Sequence, residues 1–224
     1  VLARNSVIRS NTCASNGTSA GAGITLDRST NILVANNTLW SNARGVFLFN
    51  GRSVLCTIRS NDILFNKYAS ILLQGGPRSN TIVGNRARRS TNGIVLSGAT
   101  NNVVLGNVIW SNAGSAVATA GSVSRGNLVA SNRMYQCDTP LYFTAVAVSN
   151  TARGNLITNA STGDGAKVES GDGNILEGNQ VGRSPGSGIT LIAAGGDAPA
   201  RNIVRGNTVW SNVGAGGIYL QKAR

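Results

Sequence analysis

Histidine is absent from this 224-residue chain, and 8 Asp+Glu stand against 20 Lys+Arg. Ser-His-Asp triads, histidine metal sites and imidazole proton shuttles are thereby excluded. The densest set of groups able to move a proton lies between residues 142 and 172. Lys167 and Glu169 alternate along one apolar-spaced run, Tyr142 precedes them by about one repeat, and Asp164 and Asp172 occupy the flanking turns. A lysine or tyrosine can act as base, and two carboxylates as acid and base, once held at a common substrate. A plainer reading stands beside that one. Gly163-Asp164-Gly165 and Gly171-Asp172-Gly173 are ordinary turn tripeptides, and Lys167 with Glu169 is an ordinary exposed charge pair.

The net charge of +12 favours polyanionic partners: acidic polysaccharide, anionic envelope or nucleic acid. Arg9, Arg59, Arg125, Arg153 and Arg205 each stand two residues before a recurrent Asn, which predicts an outward basic column. Ala35, Val83, Leu105 and Glu177 interrupt it. Arg86, Arg88 and Arg89 add a basic spot, and Trp40, Trp110 and Trp210 read as coverage of an outer face or lateral packing. Nucleic acid ranks third, since only 5% of residues are aromatic and no recognised module is present. Cys13, Cys56 and Cys137 are odd in number and widely spaced, so they imply buried thiols rather than a disulfide framework or zinc knuckle.

What must position these residues is a repeat. Asn37-Thr-Leu-Trp-Ser-Asn42 recurs as Asn107-Val-Ile-Trp-Ser-Asn112 and Asn207-Thr-Val-Trp-Ser-Asn212. With weaker copies the anchors are Asn11, Asn37, Asn61, Asn85, Asn107, Asn127, Asn155, Asn179 and Asn207, so 196 residues are covered in eight steps averaging 24.5. A second apolar run precedes each anchor, and a third, as in Gly23-Ile-Thr-Leu26 and Gly93-Ile-Val-Leu96, follows it. Such runs are too short for helices and carry Val and Ile at period two, so they read as strands. Identical strands one repeat apart pair in parallel, which predicts a solenoid with three apolar columns. Ile8, Val34, Ile58, Ile82, Val104 and Val204 form the first. Cys13, Leu39, Ile63, Ile109, Val129, Ile157 and Val209 form the second. Ile24, Val46, Ile71, Ile94, Val117, Leu141, Ile189 and Ile218 form the third. A leucine-rich horseshoe needs a helical limb that no window offers.

The unit resembles the right-handed parallel β-helix repeat of pectate-lyase-like and NosD-type proteins, over essentially the whole chain from Asn5 to Leu220. The resemblance implies an all-β, single-domain solenoid of about nine coils and three parallel sheets spanning 1–224. It also implies an Asn ladder at one corner, so the nine anchors are expected to be structural. Polysaccharide enzymes of this kind build their cleft on the sheet of the third run. There Lys167 or Tyr142 would abstract a proton in β-elimination of a uronate, or two of Glu169, Asp164 and Asp172 would serve hydrolysis.

The leading expectation is a secreted or surface protein that binds acidic polysaccharide and, in its enzymatic form, acts as lyase or hydrolase. The rival is a non-catalytic structural or adhesive segment of a larger assembly, with neighbouring chains at its open coil ends. The Val1 start suggests a mature or excised piece of a longer chain. No membrane span, metal or cofactor is implied, and calcium lacks a convincing ligand cluster.

Overall fold

A computed structural model describes residues 3–17, 19, 21–193 and 200–222. Each coil contributes three short strands, two coils add a fourth at Ser124–Arg125 and Ala147–Val148, and every strand hydrogen-bonds to its counterpart one coil away. Three nine-stranded parallel sheets result. The first runs from Val7–Arg9 to Ile203–Arg205, the second from Thr12–Ala14 to Thr208–Trp210, and the third from Ala22–Asp27 to Ile218–Gln221. No helix occurs among the described residues.

Alternation explains the core. In a three-residue strand only the middle side chain can point inward, so Val34, Ile58, Ile82 and Val104 stack in register at 0% exposure. Leu39, Ile63, Ala87, Ile109, Met134 and Ile157 do the same in the second sheet. The third sheet sends two residues per coil inward, with Ile71 and Leu73 above Ile94 and Leu96. Removing the side chain of such a fully buried Ile or Leu costs about 2–5 kcal/mol. The Gly before the inward Ile has a steric cause. A Cβ on Gly93 would run into the Ala116 carbonyl and Ile109 of the neighbouring coil, so the chain closes there only without a side chain.

Amide side chains line the corners in three ladders, two more than the repeat predicts. Asn37 is representative of the central ladder. Its backbone N–H and Nδ2 donate to Asn61 Oδ1 at 2.9 and 3.0 Å, and Nδ2 also reaches the Ile8 and Ala35 carbonyls at 3.0 Å. Each Asn thus satisfies backbone groups of its own coil and the one before, which buried corners require. The strained residue is the one before the Asn, not the Asn itself: Ser10, Asn36, Ser60 and Ser131 carry φ of 56°, 55°, 53° and 54°.

Three assignments need correction. Asn127 accepts from Asn102 and belongs to the ladder Asn80–Asn102–Asn127–Asn150–Asn174–Asn202. The central ladder runs through Asn132, between Asn107 and Asn155. Val129 accordingly pairs with Val104 in the first sheet, and Met134 takes the second-sheet position. Arg125 leaves the basic column with them, because Ala130 is the residue in register with Leu105 and Arg153. The physical reason is degeneracy. Both corners are crossed by an Asn-to-Asn step of five residues around a three-residue strand, so Asn127-Leu-Val-Ala-Ser-Asn132 fits either.

Two cysteines occupy ladder positions. Cys56 N–H donates to Asn80 Oδ1 at 2.9 Å and its Sγ lies 3.6 and 3.4 Å from the Ser29 and Val54 carbonyls. Asn112 Nδ2 lies 3.7 Å from Cys137 Sγ. All three cysteines are free, and burial raises the Cys56 and Cys137 thiol pKa values.

Candidate functional site

The outward side chains of the third sheet form two columns. One runs Thr25, Phe47, Leu72, Val95, Ala118, Tyr142, Lys167, Thr190 and Tyr219. The other begins with Asp27, Phe49, Gln74 and Ser97 and later includes Glu169, Ile192 and Gln221. Their relief is uneven. Val95 and Ala118 point outward yet are 9% and 8% exposed, with the larger Leu72 and Tyr142 in register on either side. This run of smaller, largely covered side chains between bulkier neighbours is called the trough. Phe47 and Phe49, with ring centroids 5.3 Å apart, stand at one end. The Arg44 guanidinium lies 4.8 Å from the Phe47 centroid and 5.4 Å from that of Tyr68.

Tyr142, Lys167 and Glu169 stand together at the other end. Tyr142 is directly opposite Lys167 across the strand pair, and Glu169 follows two residues later on the same face. The Tyr142 hydroxyl donates to Glu169 Oε2 at 2.6 Å, and Lys167 Nζ reaches the same oxygen at 2.6 Å. Lys167 Nζ also lies 5.3 Å from the Tyr142 ring centroid, within cation–π range. The Lys167 bond, then the Tyr142 bond, hold the Glu169 carboxyl below its ordinary pKa. Burial, then the Glu169 partner, push the Tyr142 phenol well above its own. At neutral pH Glu169 is therefore a carboxylate and Tyr142 a neutral O–H donor. The Glu169 and Tyr142 shifts both lead away from neutrality, where a general base works best.

Asp164 and Asp172 do not join it. They flank the strand Ala166–Glu169 at opposite ends. Asp164 Oδ1 accepts the Ser187 N–H at 2.7 Å, a bond to the next coil. Asp172 is held by Arg201, whose Nε donates at 3.1 Å and whose Nη2 makes a second contact, and that pairing lowers its pKa. Each aspartate thus has a partner other than Glu169, Tyr142 or Lys167.

On the first sheet, Arg9, Arg59, Arg153 and Arg205 do share a column, with Ala35, Val83, Leu105, Ala130 and Glu177 between them. Glu177 binds Arg205 at 3.1 Å, so it neutralises the column as well as interrupting it. Arg125 lies instead at the preceding corner, bridged to Thr100 and two positions beyond Arg78. On the second sheet Trp110 stacks on Tyr135 at 5.9 Å and 11°, while the Arg88 and Arg86 guanidinium groups lie 5.1 and 5.6 Å from its centroid. Arg88 pairs in turn with Asp62. Trp110 is thus committed to coil-to-coil stacking, and Trp40 remains 41% exposed. Trp210 lies over Gly182, where a Cβ would strike its ring. Among the described residues no group of three or more Cys, Asp or Glu could hold a metal, and no helix is long and apolar enough to cross a membrane.

A profile for the right-handed β-helix region matches residues 22–181. The periplasmic alginate epimerase AlgG superposes with a TM-score of 0.80 at 17% identity, covering 95% of this chain and 58% of that one. The mannuronan C-5 epimerase AlgE6 A-module of Azotobacter vinelandii gives 0.69 at 15%, covering 86% and 57%. DFA-IIIase from Arthrobacter chlorophenolicus A6 gives 0.68 at 14%, covering 84% and 54%. At these identities the likeness establishes the fold, and this chain spans little more than half the length of each. No curated protein matches the sequence.

Proposed function

The chain belongs to the right-handed β-helix family, and from that premise we propose that it binds an acidic polysaccharide in extended form along its third sheet, outside the cytoplasm. One observation carries this reading. The outward face of that sheet places an aromatic platform, a floor of small side chains and a cation in register along the rod axis. Phe47 and Phe49 suit the apolar faces of sugar rings, and Lys167, which spends one of its three ammonium donors on Glu169, keeps donors for a uronate carboxylate. The net charge of +12 supports an anionic partner. Names of similar structures add support: alginate and mannuronan epimerases act on uronate polymers, and one of them is described as periplasmic.

The mutual hydrogen bonding of Tyr142, Lys167 and Glu169 supports binding as the simpler role of the cluster. Glu169 is held ionised and Tyr142 protonated, so neither has the near-neutral pKa that proton abstraction beside a uronate carboxylate needs. The test is calorimetric titration of the 224-residue chain with uronate hexamers and with a neutral hexamer of equal length. The uronate binds, its affinity falls with added salt, and Lys167→Met weakens it about tenfold. Equal affinity for the neutral hexamer, or an unchanged Lys167→Met, overturns the reading. Formation of an unsaturated or epimerised product would overturn its non-catalytic part.

A further inference from the structure

A concave site lies away from the trough, at the corner leading from the third sheet back to the first. Arg4, Thr30, Val54 and Arg78 occupy one column there, joined coil to coil by parallel bridges. Three coil steps separate Arg4 from Arg78, about 14 Å along the axis. Arg52 lies in the turn before Val54. These five residues line a cavity of about 270 Å³. Arg78 Nη1 donates to the Gly51 carbonyl, which holds its guanidinium against the turn that carries Arg52.

Among the described residues the cavity is lined by three arginines and by no Asp or Glu. The two acids between residues 4 and 78 are engaged elsewhere. Asp27 accepts from Asn50 Nδ2 at 2.5 Å and lies 3.9 Å from Arg28, while Asp62 pairs with Arg88. Three like charges gathered round one hollow repel one another, and a bound anion relieves that repulsion. The planar forks of Arg match the oxygens of carboxylate, sulfate or phosphate two at a time. Thr30 adds a hydroxyl and Val54 an apolar patch, the complement of a sugar carrying one charged substituent. The volume falls below the ~300–1,000 Å³ of drug-sized pockets, which fits one such unit rather than a chain of them.

We propose that the Arg4–Arg52–Arg78 cavity is an oxyanion-binding site that holds one charged substituent of an acidic glycan, separate from the third-sheet trough. The glycan source rests on the polysaccharide reading above; the oxyanion chemistry does not. The test titrates the 224-residue chain at low ionic strength with inorganic sulfate and, separately, with a uronate hexamer. Wild type is compared with Arg52→Gln, Arg52→Gln/Arg78→Gln and Lys167→Met, each checked for an unchanged melting curve. Arg52→Gln alone spares the Arg78–Gly51 contact, so it serves if the double variant folds poorly. The expected result is sulfate binding that weakens at least tenfold in the double variant and severalfold in Arg52→Gln, with hexamer affinity falling in parallel. Sulfate binding that ignores both Arg variants overturns the site. Hexamer binding that responds to Lys167→Met but to neither Arg variant overturns it as a glycan subsite and leaves the trough standing. A sulfate response with no hexamer binding to any form keeps the oxyanion site and removes the polysaccharide reading.

Discussion

The Tyr142 hydroxyl and the Lys167 ammonium converge on a single atom, Glu169 Oε2, each at 2.6 Å. One carboxylate oxygen thereby ties two neighbouring coils together through side chains. Its titration should report both partners. Lys167→Met raises the Glu169 pKa toward the ordinary carboxylate value, and Tyr142→Phe raises it by less, following the order of the two hydrogen bonds. Carboxyl-carbon NMR titration of the three proteins checks this, and equal values in all three would refute it.

The same depression makes a stability statement. A carboxyl whose folded pKa lies below its unfolded value of about 4.3 stabilises the fold above that value. The contribution disappears as pH falls through the folded pKa. Denaturant unfolding of wild type and Glu169→Gln should therefore differ most near pH 7 and converge in strong acid. A gap that persists unchanged at pH 2 would assign the effect to packing instead.

Asn107 is fully buried and accepts the backbone N–H and Nδ2 of Asn85 while donating to the Ile82 and Leu105 carbonyls. Asn107→Ala strands several of these groups, each at about 1–3 kcal/mol. The expected loss is at least about 3 kcal/mol by denaturant unfolding. Asn101→Gly, at a corner residue with φ of 53°, should change stability by less than about 1 kcal/mol. Similar costs for the two would mean the ladder is not what holds the corner.

Cys56 aims its Sγ at the two carbonyls equivalent to those a ladder Asn would reach. Cys56→Asn should therefore be at least as stable as wild type and above Cys56→Ala, by about 1 kcal/mol for a better hydrogen bond. Thiol labelling gives a companion readout. Half-buried Cys13 reacts first in the native state, and Cys56 and Cys137 react only on unfolding. A Cys56→Asn protein that melts below Cys56→Ala would contradict the equivalence.

How much of this could be read from the chain itself differs by element. Ile24, Val46, Ile71 and Ile94 were placeable from spacing alone, because a repeat that buries only aliphatic side chains imposes one register. Asn127 was not, since its hexapeptide satisfies two corners equally and only the pairing of Val104 with Val129 decides between them. The third ladder, through Asn42, Asn66 and Asn112, is masked in the sequence because Ser90 and Cys137 take Asn positions in it. Tyr142, Lys167 and Glu169 were legible as neighbours, whereas their shared oxygen, and hence their protonation, depends on rotamers. The arginine cavity was invisible, because Arg52 sits in a turn whose length follows no repeat.

Spacing between ladders divides the molecule into two kinds of perimeter. From Asn80 to Asn85 to Ser90, and from Asn102 to Asn107 to Asn112, every stride is five residues. The remaining arc takes twelve from Ser90 to Asn102 but eighteen from Ser184 to Asn202. Inserted or deleted residues are therefore absorbed on that one flank, leaving the others a fixed gauge. The trough and the arginine cavity both lie on the adjustable flank, so partner preference can drift or be engineered there by changing loop length without disturbing how successive turns interlock.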